Sequence, residues 1–501
     1  MKIVSEGRYL NVFPEGDERI NPYKFLGWRQ RKGSPYFTVE DNCVNRMLLG
    51  LPILGATHAQ KCTESCTGLV DYQVADVNKM LSLGNVLNRN PMGLGKTVEA
   101  ICTLKSLGVK NAVIVLPKVT GVQWRKQFSV WWPERTNDVI IFDNKVRKIG
   151  RNNIVIINYE KLLNENTLTR LKTFTWDVVC VDEAHRIKNP KSQRTLAVKN
   201  LPAVRRMALT GTPILNKPDD LWSILHFLDW RYSGISYWNF VSYFCGIHEG
   251  FFGKEIAGLT TNPERIAILN TLMEKISVYN SLSVAQGKKV ETVLLEMSPK
   301  QRKLYKDMKN LVLDELPENA NIPNGAVLTI RLAQATSWPG LFLGEKECGP
   351  KFEWVLNTCL DNPNEKFVVF TRFEKTANGL CNYLNNNGVV ATQFTGAVSD
   401  KLRESNKQRF LTVPGVRVFV GTISAMGEGT DGLQEVSHIG IFLDRDWSPE
   451  IMKQCEDRLN RYGQKYPVQI YVLECEKSFD QHIGKINQHK ADDIREALQN
   501  E

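Results

Sequence analysis

The chain lacks an apolar run long enough to cross a bilayer, and residues 1–10 lack the apolar centre of a signal peptide. Tandem repeats and low-complexity tails are also absent from the sequence. These absences argue against a membrane protein, a secreted protein and a repeat protein. We therefore expect a cytoplasmic location, or a nuclear one if the source is a eukaryote.

Metal ligands are sparse as well. His58, Cys62 and Cys66 have a faintly metal-like spacing, but a closed zinc site needs four ligands and the sequence offers no second cluster. The eleven cysteines are scattered, and several lie in apolar runs, among them Cys102 and Cys180. This pattern is typical of buried thiols in a reducing compartment, so neither zinc nor disulfides are expected.

The sequence also lacks a strong excess of either positive or negative charge. Lysine and arginine number 64 against 54 acidic residues, which leaves a net charge of +10. This moderate excess attracts phosphate backbones but does not by itself identify a nucleic-acid-binding protein. At 501 residues, with 42% apolar and 24% charged residues, the chain has the composition of a soluble globular protein with more than one core.

What is present begins with a phosphate-binding loop. Residues 90–97 read Asn-Pro-Met-Gly-Leu-Gly-Lys-Thr and run into a segment with helical apolar spacing. Gly93 and Gly95 let backbone N–H groups approach an oxyanion, Lys96 reaches terminal phosphates, and the Thr97 hydroxyl can ligate Mg²⁺. The alternative is a structural glycine-rich turn.

Two carboxylates complete this half of the site. Residues 176–185 form an apolar run of strand length that ends in Asp182 and Glu183. An open parallel sheet places its chemistry at such strand ends. Asp182 would hold the Mg²⁺ shell and Glu183 would orient or deprotonate the attacking water. The alternative is a helix N-terminus with acidic first-turn residues.

Two arginines stand far downstream. Residues 454–464 read Gln-Cys-Glu-Asp-Arg-Leu-Asn-Arg-Tyr-Gly-Gln, which places Arg458 and Arg461 three residues apart. This spacing predicts one shared helix face. Arginine is always charged and offers a planar fork to phosphate, so the pair suits a γ-phosphate during hydrolysis. The alternative is a solvated basic face.

Together with Leu-Thr-Gly-Thr-Pro at 209–213 and Asp-Trp-Ser-Pro at 446–449, these motifs resemble the ordered motifs of the superfamily two helicases. The forms Asp-Glu-Ala-His-Arg-Ile-Lys-Asn and Arg-Leu-Asn-Arg-Tyr-Gly-Gln are similar to those of the SWI/SNF-type branch, whose compact members include fork-remodelling and branch-migration enzymes. The resemblance covers about residues 70–475. It implies a DNA-dependent ATPase that uses ATP and Mg²⁺ and grips the sugar-phosphate backbone.

The resemblance also implies roles for matched positions. Gln73 is similar to the glutamine that reads the adenine edge, and Thr97 and Asp182 would hold Mg²⁺ through ATP and water. The implied residues are, for catalysis, Asp182, Glu183, Arg458, Arg461 and Gln464; for ATP binding, Gln73, Met92, Gly93, Leu94, Gly95, Lys96 and Thr97; for coupling, His185, Thr210, Thr212, Gly429 and Asp431; and for DNA binding, Pro117, Lys118, Asn158, Tyr159, Thr395, Gly396 and Thr422.

Two segments depart from the pattern of the branch. Asn90 and Pro91 stand where its members usually carry Asp-Glu, and the proline stiffens the entry to the loop. Residues 277–282, Ser-Val-Tyr-Asn-Ser-Leu, replace a segment that usually contains two arginines. The contacts that the Asp-Glu carboxylates and the two arginines make in the family are therefore not assigned to this chain.

The expected fold is α/β, with two tandem RecA-like parallel-sheet domains, helical insertions and a small N-terminal domain. Apolar runs at 113–117, 153–158 and 178–181 predict strands of the first motor domain, and runs at 366–371, 416–421, 439–443 and 469–473 predict those of the second. The predicted limits are 1–67 for the accessory domain, 68–285 for the first motor domain and 286–501 for the second. Between 213 and 350 we expect helical protrusions without comparable strands, and we interpret the aromatic residues at 222–252 as packed core rather than as a base-stacking surface.

The N-terminal residues are matched poorly. Residues 25–39 predict two extended stretches around a basic turn, followed by a helix over 40–51. A hairpin tip carrying Arg29, Arg31 and Lys32 would contact phosphates or a strand junction. The alternative is a small domain that only packs on the motor.

These features predict an ATP-dependent DNA helicase or translocase, with branched or forked DNA as the leading substrate and a monomeric state. They do not identify which proteins it binds. One alternative is a duplex translocase that displaces DNA-bound proteins. Another is a nucleotide-binding scaffold with a degenerate site, against which every expected catalytic residue type is present.

Overall fold

The computed structural model describes residues 2–14, 21, 24–30, 34, 36–52, 62, 66–143, 149–214, 218–250, 253–280, 287–315, 323–427, 430–461 and 463–485. The chain forms two compact units, of which the first contains Met1–Pro91 and Gly95–Ser281 and the second contains Leu282–Ala491. Among the described helices, none is long and apolar enough to span a membrane.

A seven-stranded sheet forms the centre of the first unit, with every neighbouring pair parallel. Its order is β12, β4, β9, β8, β5, β7, β6. The strands are β4 (Val86–Asn88), β5 (Ala112–Leu116), β6 (Val139–Ile141), β7 (Ile154–Asn158), β8 (Trp176–Asp182), β9 (Ala203–Leu209) and β12 (Ser277–Val278). Helix α2 (Asp71–Leu83) precedes β4, and the helices α3 (Lys96–Ser106), α4 (Gly121–Trp131), α5 (Glu165–Lys172) and α6 (Gln193–Lys199) follow between the strands.

Both faces of this sheet are covered, which explains why its strands are continuous apolar runs. Val113 and Val115 of β5 belong to one core cluster, while Ala112, Ile114 and Leu116 belong to another. Successive strand residues point to opposite faces, so a strand buried on both faces needs an apolar residue at every position. The strands predicted from the apolar runs are confirmed.

The segment after residue 213 is helical, as predicted. It also contains two strands that were not predicted. Its elements are α7 (Asp220–Leu228), α8 (Trp230–Ser233), α9 (Tyr237–Phe244), β10 (Cys245–Gly250), β11 (Gly253–Leu259) and α10 (Pro263–Ile276). β10 and β11 form an antiparallel hairpin. β10 reads Cys-Gly-Ile-His-Glu-Gly, so its composition carries no strand signal and the pairing with β11 defines it.

The predicted packed core of aromatic residues is confirmed within the described residues. Trp222, Phe227, Phe240 and Phe244 are buried in a core cluster of the first unit. Trp238 is the exception, with 54% of its surface exposed. Residues 251–252 lie outside the described part of the chain.

The second unit has a six-stranded parallel sheet in the order β13, β18, β17, β14, β16, β15. Its strands are β13 (Lys288–Leu295), β14 (Phe367–Thr371), β15 (Ala391–Phe394), β16 (Val418–Thr422), β17 (Ile439–Phe442) and β18 (Val468–Cys475). Its helices are α11 (Pro299–Glu315), α12 (Pro323–Ser337), α13 (Gly340–Leu343), α14 (Gly349–Asp361), α15 (Glu374–Asn386), α16 (Asp400–Thr412), α17 (Ile423–Met426) and α18 (Pro449–Glu456). β13 is largely exposed and polar, which is why a search for apolar runs misses it.

The N-terminal residues form a small antiparallel sheet of β1 (Lys2–Glu6), β2 (Tyr9–Phe13) and β3 (Phe37–Glu40), followed by α1 (Cys43–Leu48). The β1–β2 hairpin was not predicted. The helix predicted over 40–51 is shorter, because Asn42 caps its N-terminus by accepting a hydrogen bond from the Asn45 N–H. Glu40 instead belongs to β3.

Candidate nucleotide site and strand-end surfaces

The phosphate loop joins β4 to α3, as the sequence predicts. Gly93 and Gly95 have φ angles of 86° and 90°, which glycine adopts without strain. The Lys96 ammonium donates hydrogen bonds to the carbonyl oxygens of Asn90 at 2.8 Å and Pro91 at 3.2 Å. The loop therefore holds its lysine at the N-terminus of α3, where backbone N–H groups favour an anion.

Gln73 lies on α2 directly beside this loop. A β-carbon at Gly95 would overlap the end of the Gln73 side chain, and the φ of 90° there also favours glycine. The Gln73 Oε1 atom also accepts a hydrogen bond from the Val70 N–H at 3.3 Å. The residue predicted to read adenine is thus placed next to the phosphate loop.

A buried polar network, which the sequence did not reveal, lies behind the loop. The Asn90 side-chain amide donates to Asp76 at 2.7 Å and to Glu99 at 3.1 Å, and its oxygen accepts from the Asn280 N–H at 2.9 Å. Asn88 donates to Glu99 at 2.6 Å. The asparagine that departs from the family pattern is therefore the centre of the network that fixes the loop.

Asp182 ends β8 in the middle of the sheet. Its Oδ2 atom accepts a hydrogen bond from the Trp124 indole N–H at 2.8 Å, and its Oδ1 atom accepts one from the Glu183 N–H at 3.0 Å. Burial, reinforced by the charge of Glu183, raises the pKa of Asp182 to about 6. Because ionisation of this buried carboxyl group is costly, a cation bound next to it would stabilise its charged form.

Three of the predicted coupling residues, His185, Thr210 and Thr212, form a chain of contacts from Glu183. His185 Nδ1 lies 3.3 Å from Glu183 Oε2 and 3.4 Å from Thr210 Oγ1. Thr210 Oγ1 in turn accepts a hydrogen bond from the Thr212 N–H at 3.1 Å. These contacts arise because β8 and β9 are neighbours with Asp182 opposite Leu209, so both motifs leave the sheet at one edge.

The residues predicted to grip DNA in the first unit follow two neighbouring strands. Pro117 and Lys118 follow β5, while Asn158 ends β7, and Leu116 pairs with Asn158. Lys118 is exposed. Tyr159 is fully buried, and its hydroxyl donates to the Asp182 carbonyl oxygen at 2.5 Å. The ring is enclosed by protein, and the assignment of Tyr159 to DNA binding stays a prediction.

The predicted DNA residues of the second unit also sit at adjacent strand ends. Thr395 and Gly396 follow β15, Thr422 ends β16, and the two strands are paired. Gly396 is exposed, whereas Thr395 and Thr422 are buried. Of the remaining predicted residues, Gly429, Arg31 and Lys32 lie outside the described residues. Arg29 is exposed, and its guanidinium lies 5.8 Å from the Tyr9 ring centroid.

The two arginines do not share a helix face, which corrects the prediction. α18 ends at Glu456, and both side chains leave from the turns that follow. They nevertheless converge on one carboxylate. Arg458 Nη1 lies 3.3 Å from Asp431 Oδ1, and Arg461 pairs with the same oxygen. A shared acidic partner, rather than helical spacing, brings them together.

Gln464 makes only backbone contacts among those described. Its amide nitrogen donates to the carbonyl oxygens of Ser437 at 2.9 Å and Leu459 at 3.2 Å. Its oxygen accepts from the N–H groups of Lys465 and Tyr466. These contacts fix the turn that carries Arg461, so the structure gives Gln464 a supporting position.

The thiols agree with the sequence analysis. All eleven cysteines are free, and nine of them are buried, which confirms the predicted buried thiols. Within the described residues there is no group of three or more His, Cys, Asp or Glu side chains arranged to hold a metal ion. His58 lies outside the described residues.

Comparisons with known proteins agree with this geometry. The SNF2-related domain matches residues 72–334, and the helicase conserved C-terminal domain matches residues 350–463. The SWI/SNF-related matrix-associated actin-dependent regulator of chromatin subfamily A member 1 of Mus musculus is 26% identical over 83% of this chain and 42% of its own length. An uncharacterized ATP-dependent helicase of Mycoplasma pneumoniae is 26% identical over 86% of this chain and 42% of its own length.

A solved structure, the Sulfolobus solfataricus SWI2/SNF2 ATPase core in complex with dsDNA, is 22% identical with a TM-score of 0.42, covering 88% of this chain and 99% of that one. The chain spans about two fifths of the length of the relatives named above. Since one family model alone matches more than half of its residues, the chain belongs to the SNF2-related, SWI/SNF-type branch of the superfamily two helicases.

Proposed function

We propose that this protein is an ATP-driven motor that moves along DNA. The observation that carries the proposal is the convergence of Lys96, Asp182, Glu183 and Thr210 at one edge of the first sheet, from three adjacent strands. Phosphate binding, metal binding, water activation and coupling each have a residue of the required type there. Membership of the SNF2-related family supports the same conclusion.

In the proposed mechanism, Lys96 exchanges its two carbonyl partners for the terminal phosphates of ATP. The Thr97 hydroxyl and the Asp182 carboxylate form a hard oxygen donor set that suits Mg²⁺, which would neutralise phosphate charge when bound. Glu183 orients or deprotonates the attacking water. The contacts from Glu183 through His185 to Thr210 then link the reacting end of the site to the end of β9.

The cations that stabilise the transition state are proposed to come from the second unit. We assign to Arg461, supported by Arg458, the stabilisation of the γ-phosphate as its charge is redistributed. Asp431 holds both guanidinium groups until then. Nucleotide state and the conformation of the motor would thereby form one equilibrium, in which hydrolysis drives movement along the strand.

The first experiment tests the site. Lys96→Ala should abolish DNA-stimulated ATP hydrolysis because the phosphate charge loses its main cation. Lys172→Ala, which removes an exposed lysine of α5, is the matched control and should retain wild-type turnover. DNA-stimulated hydrolysis at the wild-type rate in Lys96→Ala would overturn the assignment. A wild-type protein without DNA-stimulated hydrolysis would favour a nucleotide-binding scaffold.

We further propose that branched or forked DNA is the preferred substrate. The support is the small N-terminal sheet, which presents the exposed Arg29 beside the basic residues Arg31 and Lys32 in the sequence. Positive charge at such a position suits the phosphates of a strand junction.

A substrate panel tests this second step. ATPase stimulation and product formation are compared on single strands, plain duplex, forks and four-way junctions. Arg29→Ala should slow fork and junction processing severalfold while duplex-stimulated hydrolysis stays near wild type. Equal activity of the variant on all substrates would refute the junction assignment. Clearance of a protein roadblock without any change in naked branched DNA would favour a protein-displacing translocase.

A further inference from the structure

Two segments predicted to touch DNA each carry a buried aromatic residue bonded to Asp182. Trp124 lies on α4, which begins four residues after Pro117, and only 1% of its surface is exposed. Its indole N–H reaches the Asp182 Oδ2 atom at 2.8 Å across 58 residues of sequence. The carboxylate predicted to hold Mg²⁺ is thus oriented by the segment that follows Lys118.

Tyr159 makes the equivalent connection from the neighbouring segment. It follows Asn158, its ring is fully buried, and its hydroxyl lies 2.5 Å from the Asp182 carbonyl oxygen and 3.3 Å from that of Glu183. The guanidinium groups of Arg186 and Arg194 lie 5.8 Å and 5.6 Å from its ring centroid. The ring is therefore packed firmly, and the hydroxyl is directed at the backbone of both acidic residues.

The backbone at Glu183 has a strained conformation that surrounding contacts must stabilise. Glu183 has a φ angle of 51°, one of two positive values among the described residues other than glycine. A side chain with a β-carbon adopts this region at a cost of about 1 kcal/mol or more, and it persists only where surrounding contacts enforce it. The Tyr159 hydroxyl contacts the carbonyl oxygens of Asp182 and Glu183, which belong to the peptide groups before and after the Glu183 α-carbon.

We propose that Trp124 and Tyr159 are positioning residues through which DNA bound at Lys118 and Asn158 aligns Asp182 and Glu183 for hydrolysis. Each aromatic residue is buried and lies on the same segment as a predicted DNA contact, which is the exposed Lys118 for Trp124 and the half-buried Asn158 for Tyr159. A small displacement of either segment therefore changes the orientation of the Asp182 carboxylate or of the Glu183 peptide. This inference rests on the proposed function and adds to it a route for the DNA dependence of the ATPase.

Conservative variants separate this role from packing. Trp124→Phe removes the indole N–H, and Tyr159→Phe removes only the hydroxyl. The matched controls are Trp131→Phe on the same helix, whose N–H bonds Gln127 at 3.2 Å, and Tyr232→Phe, whose buried hydroxyl bonds the Asn85 carbonyl oxygen at 3.2 Å. Each control loses one comparable hydrogen bond that is not directed at Asp182.

The primary measurement is the ratio of DNA-stimulated kcat to basal kcat. This ratio should fall about tenfold in each test variant, which corresponds to about 1.4 kcal/mol of lost coupling. The controls should keep the wild-type ratio. The second measurement is binding of a non-hydrolysable ATP analogue with and without DNA, because coupling between two sites is reciprocal. The factor by which DNA changes analogue affinity should shrink in the test variants alone.

Thermal unfolding of all five proteins accompanies these measurements. An unchanged ratio and an unchanged coupling factor in both test variants would overturn the inference. Equal losses of basal and stimulated kcat, with the ratio preserved, would also overturn it, since that result describes a catalytic support without coupling. If wild-type hydrolysis does not respond to DNA, the proposed function fails instead, so the two failures are distinguishable.

Discussion

At the scale of single residues, Arg458 and Arg461 share one acidic partner, the Asp431 carboxylate. Arg458 is almost fully buried and also donates to the Gly427 carbonyl oxygen, so it is committed to the protein interior. Arg461 is more exposed, with 24% of its side chain accessible. The more accessible guanidinium is the better candidate for a phosphate contact, and the buried one is better suited to fix the turn.

Arg461→Ala should therefore slow ATP hydrolysis severely while leaving ATP binding largely intact. Loss of an arginine that acts on the γ-phosphate costs on the order of 10³-fold in kcat. The measurement is single-turnover hydrolysis together with analogue affinity. Arg403→Ala, which removes a guanidinium paired with Asp400 on α16, is the control. Normal turnover with lost analogue affinity would contradict the assignment.

Glu99 is a second residue whose environment makes a prediction. It is fully buried behind the phosphate loop, and burial raises its pKa from 4.5 to about 8. Between these values the unfolded chain releases the proton while the folded chain retains it. Stability therefore falls as the pH rises from about 5 to about 8, with a limiting slope on the order of 1 kcal/mol per pH unit.

Glu99→Gln should remove this slope, because glutamine can still accept from Asn88 and cannot ionise. The measurement is the free energy of unfolding by denaturant from pH 5 to pH 9 for both proteins. The variant should gain stability relative to the wild type as the pH rises. A parallel pH dependence in the two proteins would show that Glu99 ionises freely in the folded state.

At the scale of elements, the short strand β12 holds the end of the first unit against the phosphate loop. Arg89 donates to the Ser277 hydroxyl at 3.0 Å, and its guanidinium lies 4.4 Å from the Tyr279 ring centroid. Asn280 donates to Asp76 at 2.5 Å. The two segments that depart from the family pattern are also in direct contact, because the Asn90 side-chain oxygen accepts a hydrogen bond from the Asn280 N–H.

Asn280→Asp tests this pairing. A second carboxylate against Asp76 should destabilise the first unit more than Asn280→Ala does, because repulsion is added to the lost hydrogen bond, which is itself worth about 1 to 3 kcal/mol. The difference between the two variants should shrink as the pH is lowered and the carboxyl pair takes up a proton. Chemical unfolding at pH 8 and pH 5 measures it. Equal stability of the two variants at pH 8 would contradict the contact.

Elements differ in how well the sequence predicts them. β5 and β14 are buried on both faces, so their apolar runs were sufficient evidence. β10 and β13 are defined by pairing with a partner strand rather than by composition, so pattern analysis missed them. The end of α18 at Glu456 was missed because turn contacts around Arg461 replace helical ones. The contacts of Trp124 with Asp182 have no sequence signal, since they join residues 58 positions apart.

At the scale of the whole molecule, the N-terminal residues are attached to the first unit's core through Leu26 and α1, while the apolar residues of the N-terminal sheet form a cluster of their own. Leu26, Cys43 and Val44 belong to the same buried cluster as the central sheet. Glu40, 2% exposed, accepts hydrogen bonds from the Ile235 N–H at 2.9 Å and from the Asn239 side chain at 3.0 Å. Removing residues 1–66 would open this core, so a deletion confuses a DNA-binding role with stability.

Glu40→Ala tests the contribution of this contact to stability without deleting the N-terminal sheet. The substitution leaves the partly buried Ile235 N–H and Asn239 amide without their acceptor, which should lower the free energy of unfolding by about 1 to 3 kcal/mol. Glu6→Ala, which removes an exposed carboxylate that accepts only from Asn11 among its described hydrogen bonds, should change it far less. Denaturant unfolding measures both, and fork-stimulated hydrolysis measured below the transition should be similar in the two variants. If Glu40→Ala is as stable as Glu6→Ala, the hydrogen bonds of Glu40 with Ile235 and Asn239 do not stabilise the first unit.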